Sequence, residues 1–250
     1  MRRNAFLPAV TLGIVALFAS PVVAQTSTLN EDFADVPTLT ATGGWATINN
    51  SDMPLATAWF QGNPTVFPAQ SGATNSYAGA NFQFTTGTAA TGLTINGWLL
   101  TPELNLNTPT RLTFFARTIT ASAFPDRMRV RLSTAGASMN VGTGSSGVGD
   151  FTTVLLDINP TLTTTGFPDA WTQFTLDLPS QGAAATGRIA FNYFVADGGL
   201  NGNNSNYIGV DTVTFQPVPE PTSMLAAATA GVLVIRRWGR RRTANEPWKC

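Results

Sequence analysis

Apolar and polar residues alternate in short runs through the middle of the chain. In residues 126–133, Met128, Val130 and Leu132 would face one side of a strand and the residues between them the other side. Residues 172–178 alternate in the same way. Further predicted strands are 111–118, 187–196 and 207–215, with weaker ones at 29–33, 44–49, 77–84, 97–100 and 152–158.

Segments rich in Gly, Asn, Thr and Pro separate these predicted strands, at 140–149, 160–169 and 198–206. Little of this body has the period of a helix. Many short strands at such a spacing predict an all-β fold, an antiparallel β-sandwich of the concanavalin-like jelly-roll type. Roughly 190 residues suit one domain with a sizeable core.

The N-terminal segment is typical of a secretory signal peptide. Arg2 and Arg3 precede an apolar stretch over 5–18, and small residues lead up to a predicted cleavage between Ala24 and Gln25. We therefore predict a signal peptide over 1–24, export through the Sec translocon and cleavage by signal peptidase.

The C-terminal segment combines a proline motif, an apolar run and a basic cluster. The motif VPEPTS (218–223) leads into the apolar run 223–235, whose 13 residues would make a helix about 20 Å long. Because a bilayer core is about 30 Å thick, this run is short for a permanent span. Five arginines follow, at Arg236, Arg237, Arg240, Arg241 and Arg242, and would hold that end in the cytoplasm.

This order of motif, run and basic cluster resembles the PEP-CTERM sorting signal of bacterial proteins, with the motif at Val218, Pro219, Glu220 and Pro221. The resemblance implies transient membrane insertion, followed by cleavage near the motif by an exosortase-type enzyme. The residues after Arg242 depart from the usual pattern. The alternative is an ordinary C-terminal anchor that stays attached. The predicted domains are the signal peptide, a body over 25–216 and a sorting signal over 217–250.

Charge is distributed unevenly along a chain that has 14 basic and 14 acidic residues. Eight basic residues lie in the two end segments, so the body keeps six arginines and twelve carboxylates, which leaves it at 6 − 12 = −6. An acidic body argues against nucleic acid as a partner and is compatible with Ca²⁺. Because the chain has no histidine and its only cysteine is Cys250 in the tail, a Ser-His-Asp triad and an internal disulfide are excluded.

The body contains an ordered series of segments: EDF (31–33), GGW (43–45), WFQG (59–62), WLLTPELNL (98–106), RLTFFAR (111–117), DRMRVRLS (126–133), WTQFTLDL (171–178), GRIAFNYFV (187–195) and YIGVDTVTF (207–215). This series resembles the choice-of-anchor J domain, which is related to cleaved-adhesin domains. The resemblance implies a concanavalin-like jelly roll on the cell surface, with varied C-terminal anchors. It also implies a structural calcium ion, because related adhesin domains bind calcium.

Candidate calcium ligands are Glu31 and Asp32 in the first predicted strand and Asp211 in the last. First and last strands of jelly rolls often lie close together, and Ca²⁺ takes six to eight oxygen ligands. The alternative is that these carboxylates are solvated or cap turns.

Candidate ligand-binding residues form two groups. Arg127, Arg129 and Arg131 would present a row on one strand face to an acidic or sulfated polysaccharide, or else pair with carboxylates across the sheet. Trp59 and Tyr207 flank loops and would stack on sugars, or else lie in the core. The loop 198–206 would form one edge of a ligand-binding site, or else be an ordinary surface loop.

These observations favour an exported, non-enzymatic surface or extracellular-matrix protein that serves adhesion or exopolysaccharide association. A specific carbohydrate-binding module is the first alternative. A polysaccharide hydrolase is the second, although the carboxylates of the body are scattered along the chain.

Overall fold

The computed structural model describes residues 27–218, which form two antiparallel sheets and one short helix. The strands are β1 (Leu29–Glu31), β2 (Ala46–Asn49), β3 (Phe60–Gln61), β4 (Ala78–Asn81), β5 (Leu93–Leu100), β6 (Leu104–Asn105), β7 (Thr110–Thr118), β8 (Met128–Ser133), β9 (Thr153–Ile158), β10 (Thr172–Leu178), β11 (Thr186–Gly198) and β12 (Tyr207–Pro217). Helix α1 spans Val36–Thr42, and a 3₁₀ turn spans Phe82–Phe84. Within 27–218, no helix is long and apolar enough to cross a membrane.

The strands form two sheets of six. Sheet I has the order β10-β7-β12-β4-β3, with β1 also paired to β12. Sheet II has the order β2-β5-β11-β8-β9, with β6 also paired to β11. Every ladder is antiparallel, so the predicted all-β antiparallel sandwich is confirmed.

The alternating pattern places the main core between the sheets. Met128 and Val130 of β8 are fully buried, while Arg129 between them is only partly buried. The sheets meet through aromatic rings, as where Phe114 of β7 lies edge-on to Phe191 of β11 with ring centroids 5.1 Å apart. Because each sheet buries one face here, the strand register follows from the sequence pattern.

Helix α1 (Val36–Thr42) was not predicted from the sequence. Asp35 caps it by accepting a 3.0 Å hydrogen bond from the backbone N–H of Thr38. Pro37 lies in its first turn, and the Gly43 N–H closes the helix on the Leu39 carbonyl. An N-terminal Asp with a proline in the first helical turn is a recognised helix start. A threonine-rich helix of seven residues is too short, however, to show the periodic spacing of apolar residues that predicts a helix.

Two long connections fold back over the outer faces of the sheets. Loop 62–77 lays Phe67 against Tyr77, Tyr207 and Trp171 outside sheet I. Loop 134–152 does the same outside sheet II, where Val141 and Phe151 pack on Trp98, Leu100 and Ala190. Each outer face therefore carries an aromatic cluster of its own.

The two ends of the described chain lie at the same end of the sandwich, here called the terminal end. Leu29 of β1 pairs with Phe215 of β12, and the Val218 N–H donates a 2.9 Å hydrogen bond to the Pro109 carbonyl. Strand β12 begins at the opposite, distal end with Tyr207. Ten residue steps of about 3.3 Å separate the two ends of β12 by roughly 33 Å.

Candidate functional site

The distal end holds an open cleft of about 220 Å³. Three connections meet there: the turn after β4, the loop 119–127 between β7 and β8, and the loop 199–206 between β11 and β12. Side chains that line it are Phe82, Phe124, Leu200, Ser205 and Asn206, together with two glycines. Phe124 is 47% exposed and Leu200 is 63% exposed, so the cleft presents apolar surface to water.

The loop 199–206 is held in place by a backbone position that requires glycine and by hydrogen bonds within the loop and to residues 87 and 89. Gly199 has φ +85°, and a Cβ there would lie 2.3 Å from Thr85 Oγ1, so the position requires glycine. The Gly199 N–H donates to Ser205 Oγ at 2.8 Å. Asn201 Nδ2 donates to the carbonyls of Gly87 and Ala89 at 3.0 and 2.6 Å. These bonds hold Leu200 outward at the rim of the cleft.

A buried carboxyl, Asp126, lies behind the cleft wall. Its Oδ1 accepts hydrogen bonds from Tyr193 Oη at 2.6 Å and from the Asn206 N–H at 2.8 Å. Burial raises the pKa of Asp126, against the opposing effect of the Asn206 and Thr118 hydrogen bonds. Thr118 Oγ1 lies 2.6 Å from Asp126 Oδ2 and 3.0 Å from the Tyr207 carbonyl.

Asp126 is therefore the acceptor on which three donors converge, from Thr118, Tyr193 and the Asn206 backbone. These bonds fix Asn206 in the wall of the cleft.

The aromatic residues predicted to bind sugars are buried. Trp59 is 4% exposed and belongs to the main core, while Tyr207 is 6% exposed. The Tyr207 hydroxyl lies 3.1 Å from that of Tyr77 and accepts a hydrogen bond from the Asn63 N–H. The prediction that Trp59 and Tyr207 form stacking platforms is wrong, because burial of their large apolar area under neighbouring loops stabilises the fold.

The predicted arginine row lies on the outer face of sheet II, but its members have different partners. Arg127 forms a two-point ion pair with Asp157, with bonds of 2.9 and 2.6 Å. Arg131 is 7% exposed, and its Nη1 donates to the Phe151 carbonyl at 2.8 Å. Arg129 stacks on Phe194 instead. A single continuous binding row of three exposed arginines is therefore not formed.

The predicted calcium ligands are not brought together, although β1 and β12 do pair. Glu31 Oε1 accepts from the Phe33 N–H at 2.8 Å, and Asp32 Oδ1 accepts from a neighbouring backbone N–H. Asp211 is buried and accepts from the Gln70 N–H at 2.8 Å, which ties loop 62–77 to β12. Burial raises the pKa of both Glu31 and Asp211. In the part of the chain that the structure describes, no three acidic residues are grouped as a metal site would require.

Comparison with known proteins gives likenesses in structure alone, since no family model and no curated protein matches the chain. The K1 cleaved adhesin domain of Lys-gingipain from Porphyromonas gingivalis W83 is 24% identical, with a TM-score of 0.53 over 78% of this chain and 100% of that domain. This chain has the fold of a cleaved adhesin domain.

Two further solved structures are more distant. The K3 cleaved adhesin domain of the same gingipain is 22% identical, with a TM-score of 0.45 over 76% of this chain and 97% of that one. A carbohydrate-binding module, TmCBM61, solved with β-1,4-galactotriose, is 9% identical. Its TM-score is 0.39, and the match covers 75% of this chain and 99% of that one. A ligand for this chain therefore has to be argued from its own cleft.

The predicted processing signals lie almost entirely outside the described residues. This applies to the cleavage site at Ala24 and Gln25 and to the sorting residues Pro219, Glu220, Pro221, Arg236, Arg237, Arg240, Arg241 and Arg242. Val218, the first residue of the motif, is the last described residue.

Phe124 and Leu200 were not singled out from the sequence. Both are lone apolar residues within turn-rich segments, SAFPDR and GGLNGNN. A large apolar residue surrounded by Gly, Asn, Ser or Pro has no strand face on which to be buried. This sequence pattern is the signal from which the exposure of the two side chains could have been predicted.

Proposed function

We propose that this protein is an exported, non-catalytic surface or extracellular-matrix protein that binds carbohydrate at its distal cleft. The observation that carries the proposal is the cleft itself, where exposed Phe124 and Leu200 adjoin the uncharged polar residues Ser205 and Asn206. A sugar ring has an apolar face and hydroxyl edges, and such a ligand suits an apolar surface with a polar rim.

The lining of the cleft also argues against catalysis there. None of its residues has a titratable side chain. Glycoside hydrolysis generally uses two carboxyl groups that flank the scissile bond. Asp126 is buried behind the wall of the cleft, and the exposed Asp197 lies beside loop 199–206 with its Oδ2 bound by Asn203. This lining supports the binding of a glycan rather than its cleavage.

The position of the chain ends supports the proposed export and sorting. Residues 27 and 218 lie together at the terminal end, opposite the cleft. Removal of a signal peptide and of a PEP-CTERM-like tail from that end would leave the sandwich intact. While the tail is inserted in a membrane, the cleft would face away from the bilayer.

The cleft is tested by the binding of the purified full chain to neutral polysaccharides in affinity gels. We expect at least one of them to retard it, and Phe124→Ala to weaken that binding about tenfold, or ~1.4 kcal/mol. Met139→Ala is the matched control, because Met139 is 51% exposed and lies in loop 134–152. Equal losses in both variants, or no retardation by any neutral glycan, would contradict the proposal.

Sorting is tested separately by the intact mass of the protein extracted from cell surfaces. We expect a C-terminus near residues 219–222, which indicates cleavage at the motif. A chain that still carries residues 236–250 would contradict exosortase-type processing and indicate a permanent anchor.

A further inference from the structure

Arg129 is held rigidly on the outer face of sheet II. Its guanidinium carbon lies 3.6 Å from the ring centroid of Phe194. Its Nε donates a 3.2 Å hydrogen bond to Oδ1 of Asn192, which is fully buried. Stacking fixes the plane of the guanidinium and the hydrogen bond fixes its rotation, so the two terminal nitrogens point in a defined direction.

These two terminal nitrogens have no acceptor among residues 27–218. Asp157 is the carboxylate opposite Arg129 on β9, and both of its oxygens are already bound by Arg127. Arg131 donates its Nη1 to the Phe151 carbonyl, while its buried Nε has no partner in the described chain. Three guanidinium groups therefore face a single carboxylate.

The surroundings of Arg129 make its charge costly. Burial, followed by repulsion from Arg131 and Arg127, lowers the pKa of Arg129 to about 10. The side chain is still charged at neutral pH. An added anion would relieve the repulsion and use the free donors.

We propose that Arg129 binds an oxyanion carried by an acidic polysaccharide, either a uronic carboxylate or a sulfate ester. A planar guanidinium fork with two free nitrogens matches the paired oxygens of these groups. The site lies on the side of the sandwich and is separate from the cleft residues, so it stands whether or not the cleft binds neutral sugars.

The test is affinity electrophoresis of the full chain in gels that contain polygalacturonate, dextran sulfate or uncharged dextran. We expect retardation by at least one acidic polymer and none by dextran. Arg129→Gln removes the charge and should weaken binding at least about tenfold, the effect of losing charge-assisted hydrogen bonds. Arg129→Lys keeps the charge without the fork and should lose less.

Arg111→Gln is the matched control, since Arg111 is a more exposed arginine on sheet I that pairs with Asp177. Its binding should change less than about twofold. Equal losses in Arg111→Gln and Arg129→Gln would indicate unspecific charge attraction and overturn the proposal. Wild-type binding by Arg129→Gln, or complete displacement of the polymer by inorganic sulfate at equal charge concentration, would overturn it as well.

Discussion

Trp98 and Phe124 both lie outside the main core, and a connecting loop lies beside each of them. At Trp98, loop 134–152 turns back across sheet II and buries the ring completely. At Phe124, loop 199–206 is bound to the carbonyls of Gly87 and Ala89 and leaves the ring half exposed. The comparison shows that this chain can cover an aromatic ring with a loop, and that it leaves the distal end open.

Buried polar groups account for the difference. In sheet II, Arg129 donates to Asn192 at 3.2 Å, Asn192 donates to Asn96 at 2.8 Å, and Asn96 donates to the Gly147 carbonyl at 3.1 Å. This chain of hydrogen bonds holds loop 134–152 across the sheet. At the distal end the buried group is Asp126, which binds Thr118, Tyr193 and the Asn206 end of loop 199–206, so that this loop lines the cleft and leaves Phe124 half exposed.

Substitution of Trp98 should have the largest effect on stability. Trp98→Ala removes a fully buried ring and should cost about 3–5 kcal/mol of unfolding free energy. Phe124→Ala, at a half-exposed ring, should cost far less. Urea unfolding of both variants measures the contrast, and similar losses would mean that the distal ring is also structural.

Asn96→Ala should loosen loop 134–152 without disturbing the distal cleft. The change removes the hydrogen bond to the Gly147 carbonyl and the acceptor that Asn96 offers to Asn192 Nδ2, at a cost of about 1–3 kcal/mol. Amide hydrogen exchange should rise in residues 134–152 and stay unchanged in 199–206. A rise in both loops would show that the two regions are coupled.

Asp126 should make the distal end sensitive to pH. Its folded-state pKa is raised, so its contribution to stability is full below the unfolded value of about 3.9 and is lost as pH rises through the folded value. The size of this loss is about 1.4 kcal/mol for each unit by which folding raises the pKa.

The measurement compares wild type with Asp126→Asn by urea unfolding at several pH values from 4 upward. The stability advantage of wild type should shrink as pH rises, because Asn does not titrate. Glu31 and Asp211 also have raised pKa values, but their effect is common to both proteins. A difference that is independent of pH would show that Asp126 titrates alike in both states.

Leu200→Ser should have the smallest effect on stability. Leu200 is 63% exposed, so the unfolding free energy should change by less than about 0.5 kcal/mol. Affinity for a neutral glycan should fall nonetheless, because the rim of the cleft loses apolar surface. A clear loss of stability would assign Leu200 to the fold and weaken the case for the cleft.

The sheets could be predicted because apolar and polar residues alternate along strands such as β8 and β10. Strand β10 (Thr172–Leu178) matches its predicted range, and β12 extends the predicted 207–215 by two residues. The two-residue strands β3 and β6 were missed, since two residues cannot show alternation. The length of the sequence pattern thus sets the limit of what it predicts.

The candidate site was less predictable because it depends on which loops meet. Trp59 and Tyr207 flank predicted loops, but loop 62–77 and the core bury them, and this follows from contacts distant in sequence. The sequence offers loop 198–206 as the edge of a ligand site, and this loop lines the cleft. Its partners Phe82 and Phe124 come from two other connections, whose approach the sequence does not reveal.

The position of β12 has a mechanical consequence. This strand begins beside the cleft and ends at the residue before Val218, with β7 along one side and β4 followed by β1 along the other. A ligand held at the cleft and an anchor at the C-terminus would pull along the strand axis. The hydrogen bonds between antiparallel strands run across that axis. The pull would therefore act on all of these hydrogen bonds in shear at the same time. Such a load would be shared by the ladders that β12 forms with β7, β4 and β1.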